Sequence, residues 1–181
     1  DDVESRGLGD VYKRQIVVND TCESSVPSVY AVGDVNGGPQ FTYISLDDFR
    51  IVFGALTGNG QYTLKDRKNI PYTTFLTPPL ARVGLTEEDA INKGYTVKTK
   101  EMLVATMPRA HVNDYLKGAF KIVVNAENNL ILGATLYSQG AEELINLIKM
   151  AMDNNIPYTY FKNQIFTHPT MVENLNDLCN F

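Results

Sequence analysis

The residue with the clearest chemical context in this sequence is His168. It lies in the run IFTHPTMVE, and Glu173 follows five residues later, on the expected first turn of a helix. An imidazole that is oriented by a carboxylate forms an acid/base pair, which can take up and release protons near neutral pH. The spacing also has a structural interpretation, because Thr170 and Glu173 stand as in a capping box and Pro169 suits a first helical turn. These residues alone leave both interpretations open.

A second carboxylate follows a short apolar segment. Residues 28–32 predict a buried strand, and Gly33 and Asp34 come directly after it. Glycine lets the backbone approach a ligand closely, and an aspartate can accept hydrogen bonds from ribose or ribitol hydroxyls. Ligands of open α/β sheets bind at this end of a strand. The alternative is a plain turn in which Asp34 caps local amides.

The loop over residues 35–40 leads into a predicted helix over residues 42–56. Phe41, Thr42 and Tyr43 stand at its start, where free N–H groups and a partial positive charge would face an electron-rich ring. The pattern directs four apolar residues toward a core and three charged residues toward solvent. The apolar residues are Ile44, Phe49, Val52 and Leu56, and the charged residues are Asp47, Asp48 and Arg50.

Neither the cysteines nor the second histidine defines a further site. Cys22 and Cys179 lie far apart in the sequence and make neither a disulfide framework nor a zinc motif. Cys179 is either a reactive thiol or a buried, inert one. His111 is expected at a surface or an interface, and two histidines do not define a metal pair. We therefore expect no metal site.

The composition is that of a soluble globular protein. The chain has 181 residues, of which 44% are hydrophobic and 20% are charged. Its formal net charge of −5 argues against a nucleic-acid-binding surface, because there is no cationic excess to replace counterions. No apolar run approaches the roughly 18 residues that span a bilayer, and no secretory signal is visible. We expect a reduced, cytoplasmic protein that binds neither nucleic acid nor membrane.

The elements predicted after residue 68 fit an α+β domain with an antiparallel sheet and packed helices. Residues 58–70 are polar and contain glycine, which indicates a linker. Thr86 is a candidate N-cap, with Asp89 three residues later. The predicted strands are residues 72–76, 81–85, 119–125 and 130–138, and the predicted helices are residues 86–94, 142–153 and 169–178. The last two of these strands read as a hairpin.

Residues 1–15 show neither helical nor strand periodicity. Within them, the stretch DVYKRQ resembles one reading frame of a transposon sequencing adapter. The alternative is a polar natural N-terminus. We expect residues 1–15 to be foreign to the natural protein, and such segments are excluded from fold assignment.

Together, the two chemical motifs resemble the C-terminal part of the pyridine nucleotide–disulfide oxidoreductases. VPSVYAVGDVNGGPQFTYISLDDFRIV is similar to the second FAD motif of that family, TPPLARVGLTEEDA to the start of its dimerisation domain, and IFTHPTMVENLNDL to its His-Pro-Thr-x-x-Glu signature. A closer likeness is to the mercuric-reductase-like branch with its reactive-chlorine-resistance flavoproteins and hypothiocyanous acid reductases. The resemblance implies a remnant of an α/β FAD-binding domain over residues 16–68 and a dimerisation domain over residues 69–181.

The resemblance also implies a flavin site. Asp34 would hydrogen-bond the FAD ribitol, and Gly33 would allow the close approach. Phe41, Thr42 and Tyr43 would lie where the start of the helix faces the flavin pyrimidine, so that the helix dipole favours negative charge there.

The same resemblance implies an acid/base role for His168. In a homodimer formed through residues 69–181, this histidine would reach toward the redox thiols of the other subunit, and Glu173 would orient it. An intact relative passes electrons from NAD(P)H through FAD and a cysteine pair to a small-molecule oxidant or disulfide.

Several parts of the family pattern are absent from this sequence: the Cys-x4-Cys pair, the N-terminal GxGxxG and the NAD(P) domain. We therefore expect the chain alone to hold an incomplete FAD site and to be inactive. Mercuric reductases end in paired cysteines and lack the histidine, so His168 and the single Cys179 make mercury a poor substrate candidate. The alternatives are a non-catalytic dimerisation or interaction module, and a flavin NAD(P)H oxidase or transhydrogenase without a redox disulfide.

Overall fold

The computed structural model describes residues 15–181. The chain divides into two compact units, with the boundary between Lys68 and Asn69. All of residues 1–15 except Gln15 lie outside the described residues. The expectation that this segment is foreign therefore stays a prediction.

The first unit is built around one long helix, α1 (Thr42–Thr57), preceded by a 3-10 turn over Gly33–Asn36. The strand predicted over residues 28–32 is wrong as a full strand. Tyr30 makes an isolated bridge to Glu23, and the Ala31 amide donates to the carbonyl of Cys22 at 3.0 Å. The Ser24 amide also donates to the carbonyl of Val29 at 2.8 Å, but the pairing with residues 22–24 is too short for a full strand.

Helix α1 forms as predicted, but its buried face differs from the expected one. Ile44, Asp48 and Ile51 are buried, whereas Phe49 and Leu56 are exposed. The buried residues stand at i, i+4 and i+7, which is one stripe of a helix. The expectation that Asp48 faces solvent is therefore wrong. A hydrophobicity pattern predicts that every charged side chain faces solvent. It therefore fails for a charged side chain that is buried with its charge paired.

The second unit is an α+β domain with a five-stranded antiparallel sheet, as the sequence predicts. Its strands are β1 (Tyr72–Thr74), β2 (Leu80–Gly84), β3 (Val97–Leu103), β4 (Ala119–Asn125) and β5 (Ile131–Tyr137), in the spatial order β1-β2-β5-β4-β3. Its helices are α2 (Glu87–Asn92), α3 (Pro108–Val112), α4 (Ala141–Asp153), α5 (Tyr158–Asn163) and α6 (Leu175–Leu178).

The predicted hairpin is confirmed as β4 and β5, and Thr86 is the N-cap of α2 as predicted, where it forms a capping box with Asp89. Thr86 Oγ1 accepts from the Asp89 amide at 3.0 Å, and the Asp89 carboxylate accepts from the Thr86 amide at 3.2 Å. Strand β3 and helices α3 and α5 were not expected from the sequence. The helix predicted over residues 169–178 is shorter, because it consists of a 3-10 turn over Val172–Asn174 followed by α6.

The core of the second unit lies between the sheet and helix α4. Leu144, Ile145 and Ile148 are buried on one face of this helix, which packs against β2 and β5. The sheet contributes Phe120, Ile122 and Leu136, each with no exposed surface. Burial of these side chains supplies the main favourable free energy for the unit.

The docking of α4 can be tested by truncating side chains on its two faces. Ile148→Ala is expected to lower the free energy of unfolding by about 2–5 kcal/mol, because it opens a cavity at a fully buried position. Met150 lies on the exposed face of the same helix, and Met150→Ala is expected to change the free energy of unfolding by no more than about 0.5 kcal/mol. The measurement is chemical denaturation of both variants, and equal effects would contradict the assigned core.

Candidate functional site

The structure brings His168 and Glu173 together. The Nδ1 atom of His168 lies 2.7 Å from Oε2 of Glu173. The His168 side chain is 68% exposed and that of Glu173 is 18% exposed. An ionised carboxylate can only accept hydrogen bonds, so the neutral imidazole must carry its proton on Nδ1. The lone pair is then on Nε2, which can take a proton from another group.

The two interpretations of this motif hold at once, because Glu173 has two carboxylate oxygens. Oε1 accepts from the Thr170 amide at 3.0 Å, and the Glu173 amide donates to Thr170 Oγ1 at 3.3 Å. These are the reciprocal bonds of a capping box. The structural role and the orientation of His168 therefore use different atoms of one side chain.

The segment that carries the pair is fixed to the core on its C-terminal side. Met171 and Val172 pack against the hydrophobic cluster, and Leu175 and Leu178 belong to it. The side chain of Asn176 donates to the carbonyls of Phe161 at 2.6 Å and Gln164 at 2.9 Å, which joins α6 to the end of α5. The exposed imidazole therefore belongs to a segment that is packed into the core.

The charge of Glu173 is maintained by its partners. Partial desolvation opposes ionisation, but the hydrogen bonds from His168 and from the Thr170 amide outweigh it and lower the pKa of Glu173 below its usual value. The carboxylate is therefore ionised throughout the neutral range, where it can stabilise a protonated His168.

In the first unit, the Gly33–Asn36 turn presents Asp34. Gly33 is buried with a φ of +74°, and a Cβ atom there would lie 2.6 Å from Ser45 Oγ, so any other residue would be strained. Asp34 is exposed, and its backbone carbonyl accepts from the Gly37 amide at 3.2 Å. Within residues 15–181 no hydrogen bond reaches the Asp34 carboxylate, so the alternative in which this side chain caps local amides is not observed there.

The start of helix α1 is also accessible. Phe41 is its N-cap residue, and a phenyl ring cannot accept hydrogen bonds from the first-turn amides. Thr42 and Tyr43 are exposed, and the rings of Phe41 and Tyr43 stack with their centroids 5.1 Å apart. An exposed carboxylate on a glycine turn and the positive end of a long helix fit a cofactor with sugar-like hydroxyls and an electron-rich ring.

Both cysteines are free and buried, which makes them poor nucleophiles. Burial, and after it the charge of Asp48, raises the pKa of Cys22 to about 11. Burial raises the pKa of Cys179 to about 12, against the opposing charge of Lys100. The alternative of a reactive Cys179 is therefore not supported.

The part of the chain that the structure describes contains no group of three or more His, Cys, Asp or Glu side chains that could hold a metal ion. Over residues 15–181, no helix is long and apolar enough to cross a membrane.

Comparison with known families identifies the second unit. Residues 70–179 match the family model for the dimerisation domain of pyridine nucleotide-disulphide oxidoreductases. The chain belongs to this family. The match covers most of the unit that carries His168 and Glu173.

Curated relatives agree with this assignment. The chain is 45% identical over 175 residues to the probable pyridine nucleotide-disulfide oxidoreductase RclA of Escherichia coli, a match that covers 97% of this chain and 40% of that protein. It is 34% identical over 173 residues to mercuric reductase of Staphylococcus aureus, with 96% and 31% covered. The chain therefore spans about 40% or less of the length of these relatives.

Solved structures extend the likeness to three dimensions. The HOCl-induced flavoprotein disulfide reductase RclA from E. coli matches with a TM-score of 0.92 and 44% identity, covering 96% of this chain and 40% of that one. LpdA from Mycobacterium tuberculosis matches with a TM-score of 0.83 at 21% identity, which is a likeness of fold.

Sequence reasoning missed two residues beside the Gly33–Asn36 turn, Asp48 and Arg67. The Asp48 carboxylate accepts a hydrogen bond from the Gly33 amide at 2.7 Å and is paired with Arg67. A signal for Asp48 was available, because it lies at i+4 from Ile44 on the buried stripe of α1. No comparable signal marks Arg67, which stands in the polar linker.

The orientation of His168 by Glu173 can be tested by NMR. In Glu173→Gln, the amide oxygen is expected to face the Thr170 N–H, which leaves the NH₂ group facing His168 Nδ1. The imidazole proton should then move from Nδ1 to Nε2, and the ¹⁵N shifts of the neutral ring should report the exchange. The control is Glu143→Gln at an exposed position of α4. Unchanged His168 shifts in the Glu173 variant would contradict the assigned hydrogen bond.

Proposed function

We propose that this chain supplies three parts of a FAD-dependent NAD(P)H:disulfide-type oxidoreductase: part of the flavin site, the dimer interface and an acid/base pair. The observation that carries the proposal is the 2.7 Å contact between His168 and Glu173. It lies in a domain that belongs to this family and leaves the outer side of the imidazole accessible.

The His168–Glu173 pair would serve the redox thiols of the partner subunit. Nε2 would take the proton from an approaching thiol, which leaves a thiolate and an imidazolium. The carboxylate of Glu173 would stabilise that imidazolium through the Nδ1–H bond. In the reverse direction, the imidazolium would return its proton to a departing thiolate.

A homodimer through residues 69–181 would bring such thiols to His168. Two large apolar side chains of this unit are strongly exposed, Ile165 at 91% and Phe75 at 79%. Ile165 precedes His168 by three residues, so an interface that buries Ile165 would lie near the histidine. Burial of both side chains in a homodimer would remove this apolar surface from water.

The flavin would be held partly by the first unit. Asp34 would bind the ribitol hydroxyls, with Gly33 in the tight turn behind it, and Phe41, Thr42 and Tyr43 would stand at the pyrimidine side. FAD, when bound, supplies the hydride acceptor for NAD(P)H. The chain's own two cysteines are both buried, so the redox disulfide would come from sequence outside these 181 residues. We infer that this chain does not turn over by itself.

The acid/base role can be measured in the longer reductase, recovered with its upstream reading frame. His168→Ala is expected to lower NAD(P)H-dependent disulfide reduction by about 10²- to 10⁴-fold, as for loss of a general acid/base. The matched control is His111→Ala, since His111 is also exposed and its Nε2 only contacts the Ala105 carbonyl at 2.8 Å.

Two outcomes would contradict the proposal. The first is equal activity of the His168 and His111 variants. The second is an upstream reading frame without a Cys-x4-Cys pair, which would remove the thiols that His168 is proposed to serve and favour an oxidase or transhydrogenase.

A further inference from the structure

The one buried charged side chain among residues 15–181 is that of Asp48. It lies in the middle of α1, with no exposed surface. A buried carboxylate is costly unless it is paired and hydrogen-bonded, so its partners show what its burial achieves. None of the roles assigned above uses this residue.

The Asp48 carboxylate has three donors, and two of them belong to the turn that carries Asp34. Oδ2 accepts from the Gly33 amide at 2.7 Å and from the Asn36 side-chain amide at 2.9 Å. Oδ1 accepts from a terminal guanidinium nitrogen of Arg67. The same guanidinium donates through Nε to Asp47 Oδ2 at 2.8 Å, so the cation is shared between two neighbouring carboxylates.

These bonds fasten both ends of the Gly33–Asn36 turn to α1. Gly33 is its first residue and Asn36 its last. The turn also packs closely on the helix, since a Cβ atom on Gly33 would meet Ser45 Oγ. Asp34 lies between the two fixed positions and remains exposed. The position of the exposed carboxylate therefore depends on the buried one.

We propose that Asp48 is a positioning residue for the flavin site, which holds the Gly33–Asn36 turn so that Asp34 faces the ribitol. The flavin half of this inference rests on the function proposed above. Arg67 supplies the cation that is paired with Asp48 inside the unit. Asp48 does not touch the cofactor and acts through the backbone of Gly33 and the side chain of Asn36.

The substitution Asp48→Asn is the sharpest probe, because it keeps the shape and changes one atom from acceptor to donor. If the amide oxygen faces Gly33 and Asn36, the NH₂ group faces the Arg67 guanidinium, donor against donor. If the amide is flipped, the NH₂ group faces the turn. Because the charged guanidinium is the stronger donor, the oxygen is expected to face Arg67, so the NH₂ group faces the turn and the hydrogen bonds from Gly33 and Asn36 are lost. The matched control is Asp47→Asn, which removes the same charge from the adjacent residue and leaves both bonds to the turn intact.

The first measurement is amide hydrogen exchange by NMR in the 181-residue chain. The Gly33 amide is expected to exchange on the order of tenfold faster in Asp48→Asn than in the unsubstituted chain, as for loss of one hydrogen bond. In Asp47→Asn it should exchange at close to the original rate. The Ile51 amide reports whether α1 is still folded. Equal Gly33 exchange in the two variants, with α1 intact, would overturn the proposal.

A second variant covers the case in which Asp48→Asn unfolds the first unit. Asp48→Asn combined with Arg67→Met removes the donor that opposes the introduced amide, so the oxygen of that amide can again accept from Gly33 and Asn36. This double variant is expected to keep α1 folded and to recover the slow Gly33 exchange. An unfolded first unit, or a folded one with rapid Gly33 exchange, would overturn the proposal.

The second measurement is the FAD dissociation constant of the longer reductase. It is expected to rise about tenfold or more in Asp48→Asn and to stay unchanged in Asp47→Asn. Unchanged FAD affinity in both variants would overturn the positioning role. A longer reductase that binds no FAD at all would contradict the proposed function instead, and the exchange experiment would still decide whether Asp48 holds the turn.

Discussion

The site in the second unit depends on one carboxylate that serves two partners. Glu173 accepts from the Thr170 amide with one oxygen and faces His168 Nδ1 with the other. The hydrogen bond from the Thr170 amide holds the backbone of the segment in which the contact between Glu173 and His168 forms. As a result, an imidazole with most of its surface exposed is kept in one tautomer and one orientation. Exposure is needed for a group that exchanges protons with another molecule, and order is needed for that exchange to be efficient.

In the first unit, two aspartates differ in exposure and in hydrogen bonding. Asp34 is exposed and has no hydrogen-bond partner for its carboxylate among the described residues, whereas Asp48 is buried and has three donors. One is available to a ligand, and the other organises the backbone that presents it. The cost of burying Asp48 is offset by Arg67 and by two hydrogen bonds from the turn. In both units, a shielded carboxylate thus holds a segment that carries an exposed polar side chain.

The elements that sequence patterns predicted are those in which local signals and tertiary packing agree. Helix α4 has a clear apolar face, the β4–β5 hairpin has two strong strands around a polar turn, and Thr86 with Asp89 marks the start of α2. Strand β3 was missed because its sequence VKTKEML is largely polar, and its pairing with β4 makes it a strand. Helix α5 has six residues, too few for a helical period to be visible.

The candidate site shows a similar division. The pair His168 and Glu173 is local in sequence, so its spacing could reveal it. The Asp48–Arg67 pair joins residues 19 positions apart, one on a helix and one in a polar linker. No rule of periodicity connects the two residues, and their pairing becomes visible only in three dimensions. The strand expected over residues 28–32 failed for a related reason, since a strand requires a neighbour that the segment itself does not encode.

The central claim is that His168 acts on the thiols of the other subunit. The most direct measurement uses two inactive variants of the longer reductase, one with His168→Ala and one with its redox cysteines replaced by serine, produced together so that mixed dimers form. If the histidine acts across the interface, one site of each mixed dimer contains both an intact His168 and intact cysteines, and disulfide reductase activity returns. If the mixed dimers are as inactive as the parent variants, the account is wrong.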